Sequence, residues 1–139
     1  MHKKTLNIFV DGSFMNGVVG AAFVVVDNGK VIHEEKWTVE KYKEMRNVAG
    51  ELSATMRAVL YAKKNNFRYV RIYHDYEGIS KWTTGEWKTK NEATKLYKEW
   101  MLKQTKDIHI KFVKVTAHNG NRWNEYVDKL AKKATKKEV

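Results

Sequence analysis

A mixed α/β fold is predicted by two features of the 139-residue chain. Apolar runs rich in strand formers alternate with stretches whose apolar residues recur at helical spacing. A 42% hydrophobic and 12% aromatic content is enough for one sizeable core. A single domain over residues 1–139 is therefore expected, without internal repeats and with a Lys-rich tail from about Lys132.

Leu6 to Val10 and Ala21 to Val26 read as buried strands, the first ending at Asp11-Gly12-Ser13. Asp27-Asn28-Gly29-Lys30 supplies the Asn-Gly pair favoured in two-residue hairpins, and a third strand follows with Val31, His33, Glu35, Trp37 and Val39 alternating on one face. The first third is an antiparallel meander. From about Ala49 to Lys64 the period changes: Leu52, Met56, Val59 and Leu60 fall at i, i+4, i+7 and i+8, the stripe of an amphipathic helix. Tyr69 to His74 returns to strand composition. Asn91 can cap a helix whose face is Ala93, Leu96, Tyr97, Trp100 and Met101. Ile108 to Val115 is the fifth strand, and Asn121 can cap a last helix striped by Trp123, Val127, Leu130, Ala131 and Ala134.

Charge narrows the partners. The 27 Lys and Arg against 16 Asp and Glu give a net charge of +11, which favours a polyanion, although a basic surface also suits a membrane-surface binder. No run of about 18 apolar residues is present, so no spanning helix is expected, and no signal peptide is read at the N-terminus. The absence of cysteine excludes disulfides and thiol chemistry. A cytoplasmic location is the expectation.

The fourth and fifth strands follow helical crossovers, so each runs parallel to the first strand if it joins the sheet beside it or its neighbour. Their carboxyl ends then share one edge, where open α/β sheets bind ligands, and the residues just past those ends are Asp11, Asp75 and His118. Close carboxylates repel, so keeping them ionised requires a cation. Oxygen ligands without cysteine favour Mg²⁺ or Mn²⁺, and a pair of such ions could serve a phosphodiester displacement. Further acids would be needed. Glu51, in the first turn of the helix after the meander, and Asp128, on the last helix, are the candidates. Glu51 could instead favour its helix dipole, and Asp128 could pair with Lys132, as Glu125 could with Lys129.

The strand-ending DGS at Asp11 to Ser13, NVAGEL from Asn47 to Leu52, YHD ending at Asp75, and VTAHNGNRWNEYVDKLA from Val115 to Ala131 together resemble the type 1 ribonuclease H signature, in order and over essentially the whole chain. The resemblance implies a ribonuclease H-like fold, a five-stranded mixed sheet in the order 3-2-1-4-5 flanked by helices. It makes Asp11, Glu51, Asp75 and Asp128 ligands of two Mg²⁺ ions, with Mn²⁺ as substitute. It implies endonucleolytic cutting of the RNA strand of RNA/DNA hybrids, leaving a 3′-hydroxyl and a 5′-phosphate. His118 matches a mobile histidine assisting proton transfer or product release, and Glu125 an accessory acid.

Asn16 and Asn47 match asparagines that contact the hybrid backbone, where 2′-hydroxyls distinguish RNA; alternatively Asn16 is a loop residue beside Gly17 and Asn47 a helix cap. Trp82, Trp87, Lys88 and Lys90 suit a deoxyribose packed on an aromatic with its phosphate on a cation. Trp82 is equally readable as core, one helical face with Ile79. The stretch from Asp75 to Asn91 is short and lacks the basic protruding helix of the best-known members, so this is a compact form. A monomer without an obligatory protein partner or membrane contact is expected. Two rival readings are a non-catalytic nucleic-acid binder and a DNA-cutting nuclease on the same scaffold.

Overall fold

The computed structural model describes residues 2–116 and 121–136, with side chains from residue 4 onward. Its elements are β1 (His2–Met15), β2 (Val18–Asp27), β3 (Lys30–Val39), a 3-10 turn (Lys43–Met45), α1 (Asn47–Lys64), β4 (Phe67–His74), α2 (Gly78–Thr84), α3 (Glu92–Gln104), β5 (His109–Lys114) and α4 (Arg122–Ala134). They form one five-stranded sheet ordered β3-β2-β1-β4-β5. The β1–β2 and β2–β3 pairs are antiparallel, whereas β4 runs parallel to β1 and to β5.

The first strand is longer than its apolar run. It continues through Asp11 to Met15, paired to β2 as far as Met15↔Val18. Asn16 and Gly17 close this hairpin at φ 51° and 78°, the left-handed pair that a type I′ turn needs, as Asn28 and Gly29 do in the next one at 50° and 70°. The third strand also departs from simple alternation. A register shift between Val25 and Val26 pairs Val25 with His33 but Val26 with Val31. This irregularity sends Val31 to the opposite face from His33, Trp37 and Val39.

Each sheet face has its own core. On one, Leu6, Ile8, Val10, Phe23, Val70 and Ile72 pack with Leu52, Ala58 and Val59 of α1, Ile79 of α2, and Tyr97 and Met101 of α3. On the other, Phe9, Ala22, Val24 and Val26 receive Val127, Leu130 and Ala131 of α4. The stripes of α1 and α3 are narrower than their spacing implies: Leu60 and Leu96 are exposed and line an open groove between the two helices. Asn91 caps α3 and Asn121 caps α4 as expected, each accepting backbone N–H bonds at 2.9–3.0 Å. The single helical stretch anticipated after the fourth strand is two helices, α2 closed by Gly85 at φ 87° and α3 opened by the Asn91 cap.

Candidate active site

The parallel β1–β4 ladder ends at Phe9↔Tyr73, so Asp11 lies just beyond it, where β1 is paired only with β2. Its Oδ1 accepts the Gly12 N–H at 2.8 Å. Gly12 is a strand residue paired with Ala21, and its missing side chain is what admits α1. A Cβ on Gly12 would lie 2.2 Å from the Asn47 carbonyl oxygen and 2.4 Å from the Glu51 nitrogen; one on Gly50 would lie 2.3 Å from the Gly20 carbonyl oxygen. Helix and sheet touch backbone to backbone at these glycines. Glu51, next along from Gly50, is thereby carried into the sheet edge beside Asp11.

Asp75 follows the last residue of β4. One carboxylate oxygen each from Asp11, Glu51 and Asp75 lie within 4.8 Å of one another, with the first two buried and the third half-buried. Burial, then the Asp75 charge, pushes the Asp11 carboxyl up to about 8. Burial, then Asp11 and Asp75, also raises Glu51 well above the ordinary carboxylate range. The cluster is thus poor in counter-charge and holds protons that a cation would displace.

A second pair of contacts fixes the edge. The Tyr76 N–H donates to Glu51 Oε2 at 3.0 Å, while the buried His74 Nδ1–H donates to the Tyr76 carbonyl at 2.9 Å. Burial lowers the His74 pKa, keeping the ring neutral, and its Nε2 has no partner among the described residues. The sequence carries no signal for this clamp, since Tyr76 acts through its peptide group.

Asp128 lies on α4, which approaches the sheet closely at Gly20: a Cβ there would stand 2.3 Å from the Ala131 carbonyl oxygen. The Asp128 charge contributes to raising Asp11, but its Oδ2 pairs with Lys132 Nζ at 3.0 Å, and it stands outside the three-acid cluster. The Lys132 pair anticipated as the alternative is formed. Glu125 is exposed in the first turn of α4 and forms no ion pair with Lys129 among the described residues. His118 lies outside the described residues.

Asn16 occupies the exposed β1–β2 turn. Asn47 is not the cap of α1: that place belongs to Arg46, at φ 55°, and Asn47 is the first helical residue, with an exposed side chain. Arg46 lies 5.5 Å from the ring of exposed Phe14. Trp82 serves two surfaces. It is buried with Ile79 and meets Tyr76 and Trp87 at 5.6 and 5.8 Å, yet it also floors a groove of about 430 Å³ lined by Trp87, Lys88, Lys90 and Asn91.

Residues 3–136 match the model of the RNase H family. A Ribonuclease H of Wolbachia is 31% identical over 144 residues, covering 96% of this chain and 97% of its own. Among solved structures, ribonuclease H1 of the halophilic archaeon Halobacterium salinarum superposes with a TM-score of 0.80 at 19% identity, over 94% of this chain and 97% of that one. LC11-RNase H1, solved in complex with an RNA/DNA hybrid, gives 0.74 at 21% over 94% and 99%.

Proposed function

The chain belongs to the ribonuclease H family, and from that premise we propose that it hydrolyses the RNA strand of RNA/DNA hybrids with Asp11, Glu51, Asp75 and Asp128 as its catalytic acids. The observation that carries this reading is the cluster of three carboxylates, two of them buried, with oxygens within 4.8 Å of one another. Such crowding suits divalent cations, and an all-oxygen donor set suits hard ones. Mg²⁺, with Mn²⁺ as substitute, would be held by the four acids as a pair of ions supplying Lewis acidity to water and to the leaving oxygen.

The residues of the chain account for the remaining work. Glu51 is held through the Tyr76 N–H and seated by the close backbone approach at Gly50. Asp128 is the adjustable one, because its partner Lys132 is half-exposed and easily exchanged. Asn16 and Asn47 are exposed and suited to the RNA backbone and 2′-hydroxyls. The groove of Trp82, Trp87 and Lys88 is suited to the sugar and phosphate of the DNA strand. His118 assists proton transfer and Glu125 is accessory. Cutting with water on the scissile phosphate leaves a 3′-hydroxyl and a 5′-phosphate. We assign the enzyme to the cytoplasm as a monomer.

Matched RNA/DNA, RNA/RNA and DNA/DNA duplexes, each incubated with Mg²⁺, Mn²⁺ or chelator, test the assignment. Only the RNA of the hybrid should disappear, and only with metal. Loss of a DNA strand would support the DNA-cutting alternative, and tight binding without any cleavage the non-catalytic one.

A further inference from the structure

We propose that the side of β4 and β5 turned away from α1 is a second nucleic-acid surface, which takes a single-stranded segment by stacking its bases on Tyr69 and His109 and pairing its phosphates with Arg71 and Lys111. Helix α4 covers β1, β2 and β3 on this side but stops short of β4 and β5. The pairs Tyr69↔His109, Arg71↔Lys111 and Tyr73↔Val113 are neighbours in register, so alternate residues of the two strands point to one face. Tyr69 is 41% exposed, and His109 and Lys111 are also exposed. Nothing described shields them.

The arrangement is preformed. The Tyr69 and His109 rings are stacked, with centroids 5.2 Å apart and an interplanar angle of 10°, so each supports the other and leaves its outer face for a base, beside a hollow of about 220 Å³ that Thr5, Arg71 and Lys111 also line. Arg71 Nη1 donates to Asn7 Oδ1 at 3.0 Å, and the Tyr73 hydroxyl donates to the same oxygen at 3.2 Å, which holds the guanidinium in place. Tyr73 in turn stacks on Phe9 at 4.2 Å. Rings and cations held ready cost little further ordering when a ligand arrives.

Charge selects the occupant. On this face the two strands carry Arg71, Lys111 and His109 and no acid, whereas Arg68, His74 and Lys114 alternate to the other side. A polyanion is therefore favoured, and exposed rings on a sheet face stack unpaired bases, which a duplex does not offer. The surface is separate from the proposed catalytic edge: Tyr69 precedes Asp75 by six residues, roughly 20 Å at strand rise, and the Trp82 groove lies across the sheet with α1 and α3.

The test is binding in chelator, where no cleavage intervenes. Fluorescent 15-mers of uridine and of thymidine are titrated by anisotropy against the parent, Tyr69→Ala and Lys111→Gln, with melting temperature reporting the fold. Tyr69→Ala should weaken binding about tenfold, as loss of one stacking platform does. Lys111→Gln should lower the slope of log affinity against log salt by about 0.7. The RNA and DNA arms show which strand the surface prefers. A 4-thiouridine oligomer should photocrosslink to residues 67–74 or 109–114. Parental affinity in both variants, no single-strand binding by the parent, or crosslinks confined to residues 82–91 would each overturn the proposal.

Discussion

Asp75 is the acid whose neutralisation is most informative, because it is the least buried of the three and the leading charge acting on Asp11. Asp75→Asn keeps the side-chain shape but removes a charge that burdens the buried Asp11 and Glu51 carboxyls, so the metal-free protein should melt at the same or a higher temperature. Cleavage should nevertheless fall by several powers of ten, since each 1.36 kcal/mol of barrier is about tenfold in rate. Parallel melting and hybrid-cleavage measurements decide it, and near-parental cleavage would remove Asp75 from the site. Lys132 gives a smaller effect of opposite sense. Its pair with Asp128 is solvent-screened, worth roughly 0.5 kcal/mol, so Lys132→Met should tighten the metal dependence of cleavage by no more than about two- to threefold. A metal titration showing weaker activation would mean that Lys132 orients Asp128 instead of competing for it.

At the scale of elements, the glycines decide whether these acids meet. Gly12→Ala places a methyl 2.2 Å from the Asn47 carbonyl oxygen, and backbone cannot step aside as a flexible side chain can, so α1 must lift from β1. Overpacking of this kind costs about 1–3 kcal/mol, but cleavage should suffer far more, because Glu51 moves with the helix. Gly29→Ala is the comparison: nothing lies within 4 Å and only its φ of +70° is strained, so it should lower the melting temperature without lowering cleavage. Equal activity losses in the two would deny the close approach its role. This also explains what the sequence made legible. Strand and helix identities and both Asn caps follow from local composition and period, and the convergence of Asp11 and Asp75 follows from strand direction. The extension of β1 to Met15 was hidden because polar Asp11 and Ser13 interrupt its apolar run. The start of α3 was legible in its Asn91 cap, but α2 was not set apart because its seven residues are too short to show a helical period. Tyr76 was invisible because peptide groups have no letter.

For the whole molecule, two electrostatic tendencies oppose each other as pH changes without metal. A chain carrying +11 repels itself less as it loses protons, so its general charge favours greater stability at higher pH. The acid cluster works the other way. Asp11 is held at about 8 in the folded protein, first by burial and then by Asp75, against an ordinary value near 4 when unfolded. The folded state therefore binds that proton more tightly, and its contribution is complete below pH 4 and is lost as pH rises through 8. Glu51, raised for the same reasons, adds in the same direction. In chelator the melting temperature should consequently fall between pH 5 and 9, with a slope of up to about 1.4 kcal/mol per unit for one proton. Divalent metal should restore most stability at the alkaline end, where fewer protons must leave. Asp75→Asn separates the two tendencies, since it hardly alters the general charge but removes the second cause of the Asp11 shift. Its melting temperature should decline less with pH than the parent's. Identical pH profiles for parent and variant, or a parent whose melting temperature climbs steadily to pH 9 in chelator, would show that the carboxylates are not coupled as their geometry requires.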